Sequence, residues 1–385
     1  MRPAVLRRHP ATQMRARLSS VRAHRHRVPL LRPFVTAARR TDSVEYVVAE
    51  VVLTGEDADG RSVRVTGQGS AAETAAVTGE TAQSIERLLM TALRPALEGR
   101  TGDLRTFSRL IAATGTGGTS AKAALEVALH DAWGQAAGIP LAELLGGRAD
   151  GAMPNDMTVS LESPETMAAH ARAAFDSGTR ILKIKLGSSP EADRRRLGAV
   201  VEAVPEVRLR LDANQGWSVE EACRSLAAFA ADGLPVDLVE QPVAAADTAG
   251  LARVRAESAV PIMADESVWS PDDARRLVDA QAADLFNIKL AKTGGIAAAL
   301  EIADVAQEAG LKCMMGAMME PRISITAAAH LAFAHPAVTT IDLDSPAWFA
   351  EDVPDGGFAE ERGMLRLCGG PGLGLRRLPP EDSAA

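Results

Sequence analysis

The sequence predicts an α/β protein: a (β/α)-barrel, a modified TIM barrel of seven to eight units, carrying an N-terminal α+β capping domain. Three observations predict it. After Gly147, short apolar runs alternate with amphipathic segments at a spacing of about 25 to 30 residues, as repeated βα units do. The runs number about eight, more than an open doubly wound sheet usually holds, and no Gly-rich first turn accompanies them. The first part of the chain reads differently, as strands followed by an Ala- and Leu-rich helical stretch.

Composition narrows the class. A chain of 385 residues is too long for one ordinary domain and, at 46% hydrophobic residues, can bury a large core. A net charge of −8 and 3% aromatic residues offer neither the basic field nor the stacking platforms of a nucleic-acid binder. Cys223, Cys313 and Cys368 are scattered, which argues for a reducing compartment and against a disulfide framework or thiolate metal site. No run of about 18 apolar residues predicts a membrane span. Met1–Arg17 is rich in Arg without the apolar region of a secretory signal, so it reads as an extension, with Met14 offering a second start. The expected location is cytoplasmic. The expected division is 1–17 extension, 18–147 cap, 148–345 barrel, and 346–385 a segment returning to the cap.

In chain order, Val28–Leu31 reads as a short strand in which Pro29, unable to donate to a ladder, suits an edge or a strand start. Tyr46–Leu53 and Ser62–Thr66 read as a hairpin around the turn Asp57-Ala-Asp-Gly60. Thr36–Asp42, before them, is polar and without periodicity. From Thr81 the spacing turns helical, and Thr119–Trp133 is the clearest helix, with Ser120 as its candidate N-cap. Gly115, Gly117 and Gly118 precede it without the strand that a phosphate cradle needs, so they read as a loop entering a helix. The barrel strands are expected at Met157–Leu161, Ile181–Leu186, Val207–Leu211, Val236–Val239, Pro261–Ala264, Leu285–Leu290, Lys312–Met315 and Val338–Leu343.

A (β/α)-barrel does its chemistry at the C-terminal ends of its strands. On the second strand Leu182, Ile184 and Leu186 share one face, and Lys183 and Lys185 the other. At a surface edge two lysines would blunt the strand against pairing. On an interior strand each ammonium would lower the other's pKa, which suits a lysine acting as a base. The third strand ends in Asp212, followed by Asn214; the fourth ends in Glu240, and the fifth in Asp265 and Glu266. Single acids here would serve as caps for the following helices, but three on one rim repel each other and call for a cation. Oxygen donors with no His or Cys beside them point to Mg²⁺ rather than Zn²⁺. On the sixth strand, Asn287-Ile-Lys289-Leu-Ala-Lys292 puts Lys289 near the strand end across from Lys185, whereas Lys292 reads as a surface lysine.

This set resembles the enolase superfamily, in its muconate-lactonizing subgroup: Lys-x-Lys on strand two, Asp212, Glu240 and Asp265 on strands three to five, and Lys289 on strand six. The resemblance covers nearly the whole chain beyond the Arg-rich start. It implies a lysine base with Mg²⁺ stabilising an enediolate. Lys185 and Lys289 would be the acid–base pair, Lys183 would lie beside the substrate carboxylate, and Asn214 and Glu266 would stand behind the metal. The subgroup hosts several reactions, so fold alone does not choose.

Two stretches narrow it. Thr340-Ile-Asp342-Leu-Asp344 resembles the Asp-x-Asp of dipeptide epimerases, which implies that Asp342 and Asp344 hold a free α-ammonium that N-acylated substrates lack. Thr36-Ala-Ala-Arg39 resembles the cap loop of L-Ala-D/L-Glu epimerases, which implies that Arg39 pairs with a glutamate side chain through its guanidinium fork. Arg40 follows as a second candidate, and Ser70 stands where relatives often carry Glu. Thr158, ending the first strand, and Glu320, in Gly316–Glu320 on the seventh, are implied neighbours of the substrate. The implied reaction is a Mg²⁺-dependent 1,1-proton transfer at the α-carbon of a dipeptide's C-terminal residue, interconverting L-Ala-D-Glu and L-Ala-L-Glu in murein peptide breakdown. The alternatives are an N-succinylamino acid racemase, an o-succinylbenzoate synthase or a muconate cycloisomerase. A homo-oligomer is expected, with neither nucleic acid nor membrane as partner.

Overall fold

The computed structural model describes residues 9–36, 40–56, 62–187, 189–351 and 354–376. Residues 1–8 of the Arg-rich start, the turn Asp57–Gly60 and Arg39 lie outside them, as does the end of the chain after residue 376.

The cap is an antiparallel sheet of β1 (Ala16–Val35), β2 (Arg40–Glu56), β3 (Ser62–Ala72) and the two-residue β4 (Thr101–Gly102), in the order β3-β2-β1-β4. β1 and β2 run much further than the short strands expected from the sequence: Ala16 pairs with Gly55, and Val35 with Arg40. Most of β1 between Arg22 and Arg27 is Arg and His turned to solvent, so it carries no apolar alternation to read. Its ladder breaks register between Pro29 and Phe34, where Pro29 and Pro33 have no N–H to give. The sheet already includes Ala16 and Arg17, which the sequence had assigned to the extension. His9 N donates to Leu144 O at 3.2 Å, so the chain lies against the folded body before β1 begins.

The helix Thr119–Ala137 lies on this sheet and is buried from Ser120 to Gly134. Two glycines of β3 permit that. A Cβ on Gly67 would fall 2.1 Å from Ala128 O, and one on Gly69 would fall 2.0 Å from Ala124 O. Ser120 is not the N-cap. Gly118 occupies that position, and the Glu80 carboxylate instead accepts from Ser120 N at 2.8 Å and Ala121 N at 3.3 Å. An acid thus already occupies the positive end of this helix, in keeping with a plain loop entering it.

A short β5 (Met153–Pro154) leads into eight parallel strands in sequence order. They are β6 (Met157–Val159), β7 (Ile181–Lys185), β8 (Arg208–Asp212), β9 (Val236–Glu240), β10 (Ile262–Ala264), β11 (Leu285–Ile288), β12 (Lys312–Gly316) and β13 (Val338–Asp342). Among the described residues no ladder joins β6 to β13. Side chains stitch that seam. Asp344 Oδ2 accepts from Thr158 N at 2.7 Å, and Asn155 Oδ1 from Leu343 N at 2.9 Å. Buried Arg210 donates to both Ile341 O and Asp156 Oδ2 at 2.7 Å.

Ser163, Ser189, Ser218 and Ser270 cap the helices after β6, β7, β8 and β10, and Asp247 caps the one after β9. Each such cap is worth about 1 kcal/mol. Asp212, Glu240 and Asp265 are therefore not helix caps. Among the described residues no helix is long and apolar enough to cross a membrane.

After β13 the chain returns to the cap. Ala350 N donates to Pro29 O at 3.0 Å, the hairpin β14 (Phe358–Glu361) and β15 (Met364–Leu367) pairs with β5, and Leu373 N donates to Asp131 Oδ1 at 2.8 Å. His330, in the helix Arg322–Ala334, pins this junction: its Nδ1 accepts from Ala142 N at 3.1 Å and its Nε2 meets Leu373 O at 3.4 Å. Burial lowers its pKa to about 4. The folded state thus refuses a proton that the unfolded chain takes up at about pH 6.5. This contribution is complete above that pH and is lost as pH falls towards 4, about 3 kcal/mol in all. Urea denaturation at pH 7.5 and 4.5 should show a smaller acid loss for His330→Gln than for the native chain; equal losses would remove His330 from the account.

Candidate active site

The three acids arrive where βα alternation ends each strand. Asp212 closes β8, Glu240 closes β9 and Asp265 follows β10. Lys183 and Lys185 come from β7, and Lys289 follows β11. All six are buried at the C-terminal mouth of the barrel. A cavity of about 400 Å³ opens there, its barrel wall including Lys183, Lys185, Lys289, Asp265, Asp342 and Asp344, while Asp212 and Glu240 sit behind the lysines. Thr158, Asn214 and Glu266 also line it, and Phe34, Thr36, Ala76 and Val77 of the cap close it from above.

The charges interlock. Lys183 Nζ lies 2.7 Å from Asp342 Oδ2, 2.7 Å from Glu240 Oε2 and 3.2 Å from Asp212 Oδ2. Lys185 Nζ lies 2.6 Å from Asp212 Oδ2. Lys289 Nζ lies 2.8 Å from Asp265 Oδ2 and 3.9 Å from Glu240 Oε1. The expected depression of Lys183 by its neighbour on the strand is not what the site produces. Burial pushes its pKa down, but Asp342, Glu240, Asp212 and Asp156 together hold it well above the ordinary lysine value. These carboxylates favour the cationic form of Lys183. Lys289 is raised in the same way, burial being outweighed by Asp265, Glu240 and Glu266. Burial, with the nearby Asp212 and Asp265, pushes Glu240 up to about 8. Burial and the same two acids push Glu266 up to about 7.

Lys292 corrects the surface reading. It is fully buried, and its ammonium donates to Asp265 Oδ1, to Asp265 O and to Asn287 O. The turn Leu290–Thr293 swings it back under β10. Its apolar and glycine neighbours, Leu290, Ala291, Gly294 and Gly295, were the available signal, with Thr293 the one uncharged polar residue beside it. Asn287, also buried, donates to Glu240 Oε1 at 2.8 Å.

The remaining candidates divide. Asp342 meets Lys183, while Asp344 Oδ2 is occupied by Thr158 N and by Trp348 Nε1 at 3.1 Å. Asn214 N donates to Asp212 Oδ1 at 2.9 Å from a backbone with φ +45°. Glu320 is buried but forms no part of the cavity wall. Its Oε2 accepts from Met318 N at 3.1 Å, and Ser345 Oγ donates to its carbonyl, so it shapes the Met318–Met319 segment that does line the cavity. Arg40 pairs with Asp42 at 3.3 Å on the surface, which leaves Arg39 as the loop's other guanidinium, outside the described residues. Ser70 is spent on the barrel, its Oγ 2.7 Å from Ser324 Oγ.

A divalent cation fits these residues. Among the described residues no three acids already close into a cage; the ammoniums of Lys183 and Lys289 stand between them. Glu266 Oε2 and Asn214 Oδ1 are buried oxygens without a hydrogen-bond partner, and Glu240 Oε2 meets only the Lys183 ammonium, at 2.7 Å. Buried, anionic, all-oxygen donors are the set that Mg²⁺ takes.

Comparison with known proteins agrees. Residues 19–146 match the mandelate racemase / muconate lactonizing enzyme N-terminal domain, and residues 166–378 the enolase C-terminal domain-like family. An L-Ala-D/L-Glu epimerase of Clostridium acetobutylicum is 42% identical over 353 residues, 90% of this chain and 95% of that one. The substrate-liganded L-Ala-D/L-Glu epimerase of Bacillus subtilis superposes with a TM-score of 0.88 at 39% identity, covering 93% of this chain and 98% of that one. A dipeptide epimerase of Cytophaga hutchinsonii, in complex with Mg and D-Ala-L-Val, gives 0.87 at 32% identity, covering 94% and 97%. Fold, strand-end chemistry and these matches together place the chain in the mandelate racemase / muconate lactonizing enzyme family of the enolase superfamily.

Proposed function

We propose that this protein is a Mg²⁺-dependent dipeptide epimerase that inverts the α-carbon of the C-terminal residue, with L-Ala-D-Glu and L-Ala-L-Glu as its substrate pair. One observation carries the reading: Lys185 and Lys289 enter one cavity from β7 and β11, strands four places apart in a barrel of eight, and Asp342 and Asp344 share that cavity. Two ammonium/amine groups facing each other across a substrate suit a reaction that takes a proton from one face and returns one to the other.

Asp212, Glu240 and Asp265 would hold the ion, which when bound supplies positive charge that makes the α-proton of the substrate's carboxylate end more acidic. Lys185, neutral, takes that proton from one face; Lys289, protonated, gives one to the opposite face. In the reverse direction the roles exchange, so the enzyme ends one proton richer at one lysine and one poorer at the other, and solvent resets both. Lys183 stays cationic and contributes fixed charge rather than a proton. Asp342 and Asp344 receive the α-ammonium of a dipeptide, a partner that an N-acyl amino acid does not have. Arg39 receives the glutamate side chain. The similarity to L-Ala-D/L-Glu epimerases supports this substrate, and with it a place in murein peptide breakdown; the scattered cysteines suit the cytoplasm.

Incubation in D₂O with a panel of dipeptides and N-succinyl amino acids, followed by NMR, tests the reading. Deuterium should wash into the C-terminal α-position of L-Ala-L-Glu and L-Ala-D-Glu. Wash-in confined to N-succinyl amino acids would overturn it.

A further inference from the structure

The three acids share a pattern beyond their strand positions. Each has one oxygen turned to a lysine that lines the cavity and the other tied back by a donor behind it. Asp212 gives Oδ2 to Lys185 and takes Asn214 N on Oδ1. Glu240 gives Oε2 to Lys183 and takes Asn287 Nδ2 on Oε1. Asp265 gives Oδ2 to Lys289 and takes Lys292 Nζ on Oδ1. Neither Asn287 nor Lys292 borders the cavity, so neither can reach a substrate there. Both belong to the short stretch of β11 and its turn that also presents Lys289.

We infer that Asn287 is a positioning residue for Glu240, fixing which carboxylate oxygen faces the mouth. The inference rests on the reading of Glu240 as a cation ligand. Asn287 is fully buried and is seated with little latitude: a Cβ on Gly316 of the adjacent β12 would come within 2.3 Å of its Oδ1. The amide thus fills the space that the missing side chain of Gly316 leaves against β12, with its nitrogen donating to Glu240 at 2.8 Å. Glu240 needs such a tether because its side chain has one more rotatable bond than the two aspartates and reaches the same rim from a neighbouring strand. Asp212 is held by its own loop's backbone, and Asp265 by a charged donor. Only Glu240 depends on a neutral side chain.

Outer donors of this kind are worth about 10- to 100-fold in metal affinity. The test is Mn²⁺ binding to the purified protein, read by electron paramagnetic resonance, for the native chain and Asn287→Leu, with circular dichroism to establish folding. The leucine variant should bind Mn²⁺ about 10- to 100-fold more weakly, and its kcat should recover towards native as Mn²⁺ is raised. A residue that merely filled space would lower the melting temperature without moving the Mn²⁺ affinity. Asn287→Ser, which removes the amide without filling its place, covers a failure of the leucine variant to fold and should show the same loss. A folded variant that binds Mn²⁺ as the native protein does overturns the inference. A native protein that binds no Mn²⁺ overturns instead the cation reading beneath it.

Discussion

Lys185→Ala and Lys289→Ala should each abolish epimerisation, with kcat falling about 10⁴-fold, the upper range for removal of a general acid–base group. The two losses should differ in what survives. A variant that keeps one lysine can still remove and return a proton on that lysine's face of the substrate. Each should therefore exchange the α-proton of one epimer with D₂O while failing to convert it, and the two variants should favour opposite epimers. NMR of the α-proton, run separately on L-Ala-L-Glu and L-Ala-D-Glu, reads both effects at once. Native turnover in either variant would end the two-lysine account. Asp212 still faces Lys183 in Lys185→Ala, and Asp265 still faces Lys292 in Lys289→Ala, so neither substitution strands a buried carboxylate without a cation.

Removal of divalent ions should be as complete in its effect. After EDTA treatment and desalting, turnover should fall to background and return on addition of Mg²⁺. The stripped protein should remain folded, since the lysines already bridge its acids. Its melting temperature should rise with added Mg²⁺, by an amount equivalent to about 2.7 kcal/mol at a hundred times the dissociation constant. Turnover that persists after full metal removal would refute the assignment of Asp212, Glu240 and Asp265.

The barrel and its three acids were legible because the period-2 pattern of strands such as Ile181–Lys185 survives in an interior, and because a strand end is a position that sequence can name. The long β1 was not, because a solvated ribbon rich in Arg and His leaves no hydrophobic trace. Lys292 reads as a surface residue for a related reason. Spacing along the chain shows that it lies one turn beyond Lys289, but only the fold shows that the turn folds inwards beneath Asp265. The environment of Lys183 was read one strand at a time. Lys185, its partner on β7, suggested repulsion, whereas carboxylates from β8, β9 and β13 decide its charge. Long-range electrostatics is the part of a site that a linear pattern conveys least.

Asp344 has a second occupation besides the cavity. The oxygen that accepts from Thr158 N closes the gap between β6 and β13 where, among the described residues, no backbone ladder does. If Asp344 receives the substrate's ammonium, as proposed above, substrate choice and the integrity of the barrel are written in one residue. A descendant that trades this acid for another group, in order to accept a substrate without a free amine, loosens its own wall in the same step. Asn155 and Arg210, which fasten the same seam away from the cavity, are the natural places for such a lineage to accumulate compensation beforehand. Divergence of specificity in this chain would then leave its earliest marks at the seam, ahead of any change visible in the pocket.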